Sequence, residues 1–319
     1  MDCIDQDQRI TVVNILAVSF TGSTWLNLML GTHPEVASIG EFDRVAKMDR
    51  PICAIHGDEC PLWSRFDTQS DENPFLQAAR LTGKRILVVN NVRRMRKQLE
   101  DPRIDRRYIL LCRDGRAYAA SHLKKKPDDN IGQATWKWFR EWERRLTWTI
   151  KDRHSKTRML HFEKVSADPT ETLRELCRFL DIDDQYDLSQ YANAEPHFIG
   201  GNVGPVSVVA RAHGLKKLTL QLHDKRVQVI DLDQDEFEIE EFGEKRQFNL
   251  AAYRKSQGEA IRGERWPDQL TPGQLRWFGF LAGWLNRMFG YPPSRERSSI
   301  PQDRPGLTKL VSRLQGRRA

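Results

Sequence analysis

An apolar run, Asn14-Ile15-Leu16-Ala17-Val18-Ser19, ends in the loop Phe20-Thr21-Gly22-Ser23-Thr24. The loop opens directly onto a helical pattern carried by Leu26, Met29 and Leu30. A strand, a tight small-residue loop and a helix start in that order make a cradle for an anion. The first-turn N–H groups have no partners inside the helix, and the macrodipole adds partial positive charge there. Gly22 lets the backbone approach a ligand closely, while Ser23 and Thr24 add hydroxyl donors. The segment reads as a phosphate site, the alternative being an ordinary strand–helix turn whose small residues serve packing. It is not a nucleoside-triphosphatase P-loop, which needs Gly-x4-Gly-Lys-Ser/Thr: no Lys follows Gly22.

A second apolar run, Tyr108-Ile109-Leu110-Leu111-Cys112, leads into Arg113-Asp114-Gly115-Arg116-Ala117-Tyr118-Ala119-Ala120-Ser121. An arginine at a strand's carboxyl end offers a planar, always-charged fork to a phosphate. Ligands of open α/β sheets gather at those ends. Ser121, about two helical turns on, can donate from the same side. In isolation Arg113-Asp114 also reads as a solvated ion pair at a strand end.

The two segments, in this order, resemble those of sulfotransferases that use 3′-phosphoadenosine 5′-phosphosulfate. Their first co-substrate loop is typically Lys/Arg-Ser-Gly-Thr/Ser-Thr-Trp/Leu, and here it reads Phe20-Thr21-Gly22-Ser23-Thr24-Trp25. Their second element is Arg-Asp-Pro-Arg-x4-Ser. Further pieces agree: Phe162-Glu163-Lys164-Val165 followed by Asp168-Pro169, Gly200-Gly201-Asn202 after His197, Trp266 to Thr271, and Gly290-Tyr291. The resemblance covers residues 11–205 and 262–292. It implies that Thr21, Gly22, Ser23, Thr24 and Trp25 hold the co-substrate, with Trp25 suited to adenine stacking. It also implies that Arg113 and Ser121 bind the 3′-phosphate, and that Phe162 stands where the family often has an adenine-contacting Tyr. The segment His33-Pro34-Glu35 to Gly40-Glu41 is similar to the family's His-Pro…Gly-Glu stretch, which makes Glu41 the candidate general base; an N-cap or ion-pair role is the alternative.

One departure stands out. Phe20 occupies the place of the family's Lys or Arg, so the usual cation at the leaving group is missing. Val89-Asn90-Asn91-Val92-Arg93 resembles the Val-Asp-Ser-Ser-Lys of bacterial relatives and makes Arg93 the candidate substitute, although Arg93 also belongs to a basic cluster.

The chain has 319 residues, a net charge of +7 and 39% hydrophobic content, enough for one large α/β domain with a full core. Its basic clusters include Arg93 to Lys97 and Lys124-Lys125-Lys126. They raise the question of nucleic acid, yet no helix-turn-helix, zinc finger or aromatic platform is present, and acidic residues interleave with the basic ones. A small polyanionic co-substrate accounts for the excess charge, so no nucleic-acid partner is expected. The uncharged stretch from Thr11 to Leu30 holds too many polar residues for a membrane span, and Met1 to Asp5 lack the basic start of a signal peptide. The expectation is a cytoplasmic enzyme.

Five cysteines do not suggest a secreted disulfide framework. Cys112 and Cys177 fall in core patterns. Cys53, His56 and Cys60 supply three possible zinc ligands at tight spacing but no evident fourth. Packing or a local disulfide is the competing account, and no metal cofactor is expected.

Strand patterns at 12–19, 86–90, 108–112 and 158–162 alternate with helical ones, including residues 171–180. They imply a single three-layer α/β domain with a central parallel sheet flanked by helices, and the sulfotransferase resemblance implies that it is P-loop-NTPase-like in form. The domain is expected over 11–292, with 206–255 as an insertion and 262–292 as a C-terminal helical part. The insertion, read as a hairpin near Asp224-Lys225 followed by an acidic run, either caps the acceptor or decorates the surface. A basic tail over 293–319 is expected to be mobile. Trp138, Phe139, Trp142 and Trp148 form a helical stripe read as core. The leading function is sulfuryl transfer from the phosphosulfate to a hydroxyl or amine of a small molecule or glycan. The alternatives are a non-catalytic nucleotide-binding module, which Phe20 would suit, and a nucleotide-dependent phosphotransferase.

Overall fold

A computed structural model describes residues 9–184, 190–222, 225–241, 244–254 and 266–293. The tail from 294 onward and Asp224 of the expected turn lie outside the described residues. Along the first half run β1 (Ile10–Ala17), α1 (Ser23–Leu30), β2 (Val36–Gly40), α2 (Pro74–Thr82), β3 (Ile86–Asn90), α3 (Arg96–Leu99) and β4 (Ile104–Cys112). Then come α4 (Gly115–Lys125), α5 (Ile131–Lys151), β5 (Lys156–His161), α6 (Phe162–Ala167), α7 (Pro169–Leu180) and α8 (Val203–Ala212). The remainder holds β6 (Lys217–Gln221), β7 (Val227–Asp231), β8 (Glu236–Glu241), β9 (Glu244–Asn249), α9 (Ala251–Arg254), α10 (Trp266–Gln269) and α11 (Pro272–Met288).

The fold is α/β, with a five-stranded parallel sheet flanked by helices and ordered β2-β3-β1-β4-β5. The sequence pattern missed β2. Val36 to Gly40 is only five residues long and carries Ser38, so its apolar signal is weak, yet every residue is buried. The chain leaves β1 for β2 and β3 on one side and leaves β4 for β5 on the other. That divergence is a topological switch point, where ligands of open α/β sheets collect beyond the strand ends.

Two compact units make up the framework. The first comprises Met1–Ile15, Thr24–Arg107 and Leu173–Glu259; the second comprises Leu16–Ser23, Tyr108–Thr172 and Ala260–Ala319. In the first unit a buried polar network fixes α1. Asn27 Nδ2 donates to the Val88 carbonyl (3.2 Å) and to Asn90 Oδ1 (3.0 Å), while Asn27 Oδ1 accepts from Ser38 Oγ at 2.6 Å. The buried Asn27 amide and the Ser38 hydroxyl are thereby partnered. Beyond α8 the same unit carries two antiparallel hairpins, β6–β7 and β8–β9.

The second unit is built on aromatic packing. Trp138 and Trp142 of α5 are fully buried and Trp148 is 7% exposed, so the tryptophan stripe is core. Phe289, just past α11, lies 4.7 Å from Trp142 between ring centroids. Helix α11 begins at Pro272, where Thr271 and Gln274 form a capping box. Cys112 and Cys177 are buried as expected, and Cys53 and Cys60 are free thiols rather than a disulfide.

Candidate functional site

The carboxyl ends of β1 and β4 both belong to the second unit. After β1 the backbone turns through Phe20 (φ 65°) and Gly22 (φ 85°), two left-handed residues flanking Thr21. Alternation of this kind aims successive N–H groups to one side, a concavity suited to an anion. It also opens onto the N-terminus of α1 at Ser23. For Phe20 the left-handed conformation costs about 1–2 kcal/mol, which a glycine would avoid. Thr21 is buried, and its hydroxyl donates to the Ser19 carbonyl at 3.4 Å.

What holds Phe20 there is Arg113, whose Nη1 donates to the Phe20 carbonyl at 2.6 Å. The Arg113 guanidinium carbon stands 5.0 Å over the ring of Phe162, the first residue of α6. Phe162 is itself 4% exposed, so its ring supports the arginine. Ser121, the seventh residue of α4, is partly exposed.

Behind Arg113 lies a buried polar assembly. Asp114 caps α4 by accepting from the Arg116 N–H at 2.9 Å, and it takes Arg116 Nη2 at 2.6 Å. Asn286 of α11 completes the cap: its Nδ2 donates to Asp114 Oδ1 (3.2 Å), and its Oδ1 accepts from the Gly115 N–H (2.8 Å). The family's Pro at this position has no N–H to give, so Gly115 with Asn286 is a coherent replacement. Glu163 accepts from the Asp114 N–H at 3.2 Å and from the Tyr291 hydroxyl at 2.7 Å. Burial pushes the Glu163 carboxyl up to about 7, against the lowering effect of those hydrogen bonds. Sequence reasoning quoted Glu163 and Tyr291 only as motif letters and missed Asn286, which carries no signal inside an amphipathic helix.

A cation named in the sequence only as part of a basic cluster also meets the loop. Lys125 Nζ, at the end of α4, lies 4.7 Å from the centre of the Phe20 ring. Tyr118 flanks the same ring at 5.8 Å.

The first unit holds the other expected residues. Trp25 is 1% exposed, which leaves no ring face open for adenine stacking. Thr24 Oγ1 accepts from the Asn202 N–H at 3.0 Å. Glu41 follows β2, half-buried, and pairs with Arg44 at 3.4 Å. Its own N–H donates to the Ile199 carbonyl at 2.9 Å. Gly200 (φ 66°) lies against this pair: a Cβ there would come within 2.6 Å of Glu41 Oε2 and 2.5 Å of Arg44 Nη1. Arg44 also donates to the Gln221 carbonyl of β6. Two residues beyond Glu41, Asp43 Oδ1 accepts from the N–H groups of Arg93 (3.1 Å), Arg94 (2.7 Å) and Met95 (3.2 Å). The Arg93 side chain is exposed.

The sulfotransferase-domain family model matches residues 11–194. The chain belongs to the sulfotransferase domain family. Among solved structures, this sulfotransferase-domain chain is similar to the sulfotransferase domain from the Synechococcus PCC 7002 olefin synthase. That match has 19% identity over 60% of this chain and 80% of that one, with a TM-score of 0.42. The sulfotransferase domain from the curacin biosynthetic pathway matches at 15% identity, over 61% and 81% of the two chains, with a TM-score of 0.45. A sulfotransferase from Alicyclobacillus acidocaldarius matches at 14%, over 62% and 90%, with a TM-score of 0.35. No curated protein matches the sequence. Among the described residues, no helix of the sulfotransferase domain is long and apolar enough to cross a membrane.

Proposed function

We propose that this sulfotransferase-domain chain moves the sulfuryl group of 3′-phosphoadenosine 5′-phosphosulfate to a hydroxyl or amine of a small molecule or glycan. The observation that carries the reading is Arg113, fixed at the end of β4 by the Phe20 carbonyl and the Phe162 ring beside a loop with left-handed backbone at Phe20 and Gly22. Such an arrangement suits a nucleotide with a 3′-phosphate: Arg113 and Ser121 take that phosphate, and the loop from Thr21 to Ser23 takes the 5′-phosphate. Phe162 contributes by holding Arg113 in orientation.

Transfer is an in-line displacement. The acceptor oxygen or nitrogen attacks sulfur, the bond from sulfur to the phosphate's bridging oxygen breaks, and 3′,5′-bisphosphoadenosine leaves with the electron pair. The acceptor's proton goes to the Glu41 carboxylate. Positioning and charge stabilisation dominate reactions of this kind. The cation opposite the leaving group is therefore the critical part, since Phe20 supplies none. Arg93 is the sequence candidate. Lys125 is the stronger one, because its ammonium already stands over the Phe20 ring. Strand β6, tied to Arg44, supports the further reading that residues 206–255 shape the acceptor side.

A second reading, a nucleotide-binding module without catalysis, is favoured by Phe20 itself. Labelled sulfuryl transfer to a panel of hydroxyl and amine acceptors separates the two. Transfer from phosphosulfate establishes the enzyme. Tight bisphosphate binding with no transfer to any acceptor establishes the module, and transfer from ATP instead would establish a phosphotransferase.

A further inference from the structure

A cluster remote in sequence from Arg113 has no part in the transfer reading. Within the first unit, the ligand atoms of Cys53, His56 and Cys60 all lie within 4.8 Å of one another. Both sulfurs are buried, and Cys53 Sγ is 3.5 Å from His56 Nδ1. A fourth donor arrives from 137 residues further along the chain, where His197 Nδ1 lies 3.4 Å from Cys60 Sγ. The two imidazole rings are 5.6 Å apart between centroids. Each sulfur thus has its own ring nitrogen at nearly the same distance.

Those two distances fit thiol–imidazole hydrogen bonds and also the separation that a tetrahedral ion imposes. With Zn–S near 2.3 Å and Zn–N near 2.0–2.1 Å, tetrahedral angles set sulfur and nitrogen about 3.6 Å apart. A disulfide between Cys53 and Cys60 would use neither histidine. We propose that Cys53, His56, Cys60 and His197 bind one zinc ion as a closed structural centre. Two thiolates and two neutral imidazoles suit zinc, and four protein ligands leave no open position for chemistry.

The backbone prepares the donors. Gly57, at φ 56°, closes a turn in which its N–H donates to the Cys53 carbonyl at 3.0 Å, bringing Cys53 and His56 to one side. His197 is held from two directions: its N–H donates to the Ser38 carbonyl of β2 at 2.9 Å, and its carbonyl accepts from Trp63 Nε1 at 2.8 Å. The next residues of that strand-like segment are those that touch Glu41, through the Ile199 carbonyl and Gly200. Zinc would therefore clamp the 53–60 loop to the segment that supports Glu41.

The test uses the full chain, purified with reductant, and its readout is independent of sulfuryl transfer. Elemental analysis should find about one zinc per chain, and cobalt exchange should give the intense visible bands and thiolate charge transfer of a tetrahedral S2N2 site. His197→Ala should weaken zinc affinity by more than about 100-fold, since even hydrogen-bonded partners of a ligand typically contribute 10–100-fold. Cys177→Ala, which changes a buried thiol outside the cluster, should retain the metal. Chelation should speed hydrogen exchange at the Glu41 amide, and unchanged exchange would overturn the clamp. The zinc site itself would be overturned by either of two results: wild-type chain that takes up neither zinc nor tetrahedral cobalt, or full zinc retention in His197→Ala.

Discussion

Arg113 Nη1 donates to the Phe20 carbonyl at 2.6 Å, and Phe20 is one of the few non-glycine residues with a left-handed backbone among the described residues. The arginine expected to bind phosphate thus also braces the loop expected to receive one. Removing it should have two effects: loss of a charged ligand contact and relaxation of a strained turn.

Arg113→Ala should weaken 3′,5′-bisphosphoadenosine binding by about 10–150-fold, the range for a charged hydrogen bond of roughly 1.5–3 kcal/mol. Arg113→Lys should recover little, because an ammonium lacks the planar fork that reaches both the loop carbonyl and a phosphate. In thermal shifts, the bisphosphate at 100 times its dissociation constant should add about 2.7 kcal/mol to the wild type. Equal stabilisation by AMP would remove the 3′-phosphate site.

The Glu163 carboxyl should leave a signature in stability against pH. Its folded-state value near 7 lies above its unfolded value, so between about pH 4.5 and 7 the native state keeps a proton that the unfolded chain has released. Stability from this group is fully present below that window and is lost as pH rises through it. Wild type should lose on the order of 3 kcal/mol more than Glu163→Gln across the window, at 1.36 kcal/mol per unit. Parallel denaturant midpoints for the two proteins at pH 5 and pH 8 would refute the assignment.

Gly83 and Gly200 share φ 66°, but a Cβ at Gly83 meets nothing within 4 Å, whereas one at Gly200 collides with Glu41 and Arg44. Gly83→Ala should therefore cost only the left-handed penalty of about 1–2 kcal/mol and leave turnover intact. Gly200→Ala should destabilise the protein further and lower kcat by displacing the Glu41 carboxylate. Equal kcat in both variants would separate Glu41 from the chemistry.

Glu41→Gln should reduce kcat by roughly 10²–10⁴, the usual range for general-base catalysis, with bisphosphate affinity nearly unchanged. The leaving-group cation is decided by comparing Lys125→Ala with Arg93→Ala. If Lys125 serves, its loss should lower kcat severely, Arg93→Ala should be mild, and Phe20→Lys on the Lys125→Ala background should restore part of the rate. Full activity in both alanine variants would discard both cations.

Asn286→Ala should cost about 1–3 kcal/mol, because it leaves the buried Gly115 N–H without its acceptor and removes one of the donors to Asp114. The expected result is a lower melting temperature together with weaker bisphosphate binding, since α4 begins two residues after Arg113.

The sequence by itself determined the α/β class, most of the sheet, and the two segments that flank the switch point. Those properties are local: a strand-length apolar run, a glycine loop and a helix start are written in consecutive residues, and so is an arginine at a strand end. The tertiary structure decided which motif letters act together. Phe162, Glu163 and Asn286 converge on Arg113 and Asp114 from as far as 172 residues away, and Tyr291 reaches Glu163 across 128. It also turned Trp25 inward, set Lys125 over Phe20 and brought His197 to Cys60. Each of these rests on a contact between distant segments, and side-chain contact across a packed core has no period or spacing by which a single sequence could announce it.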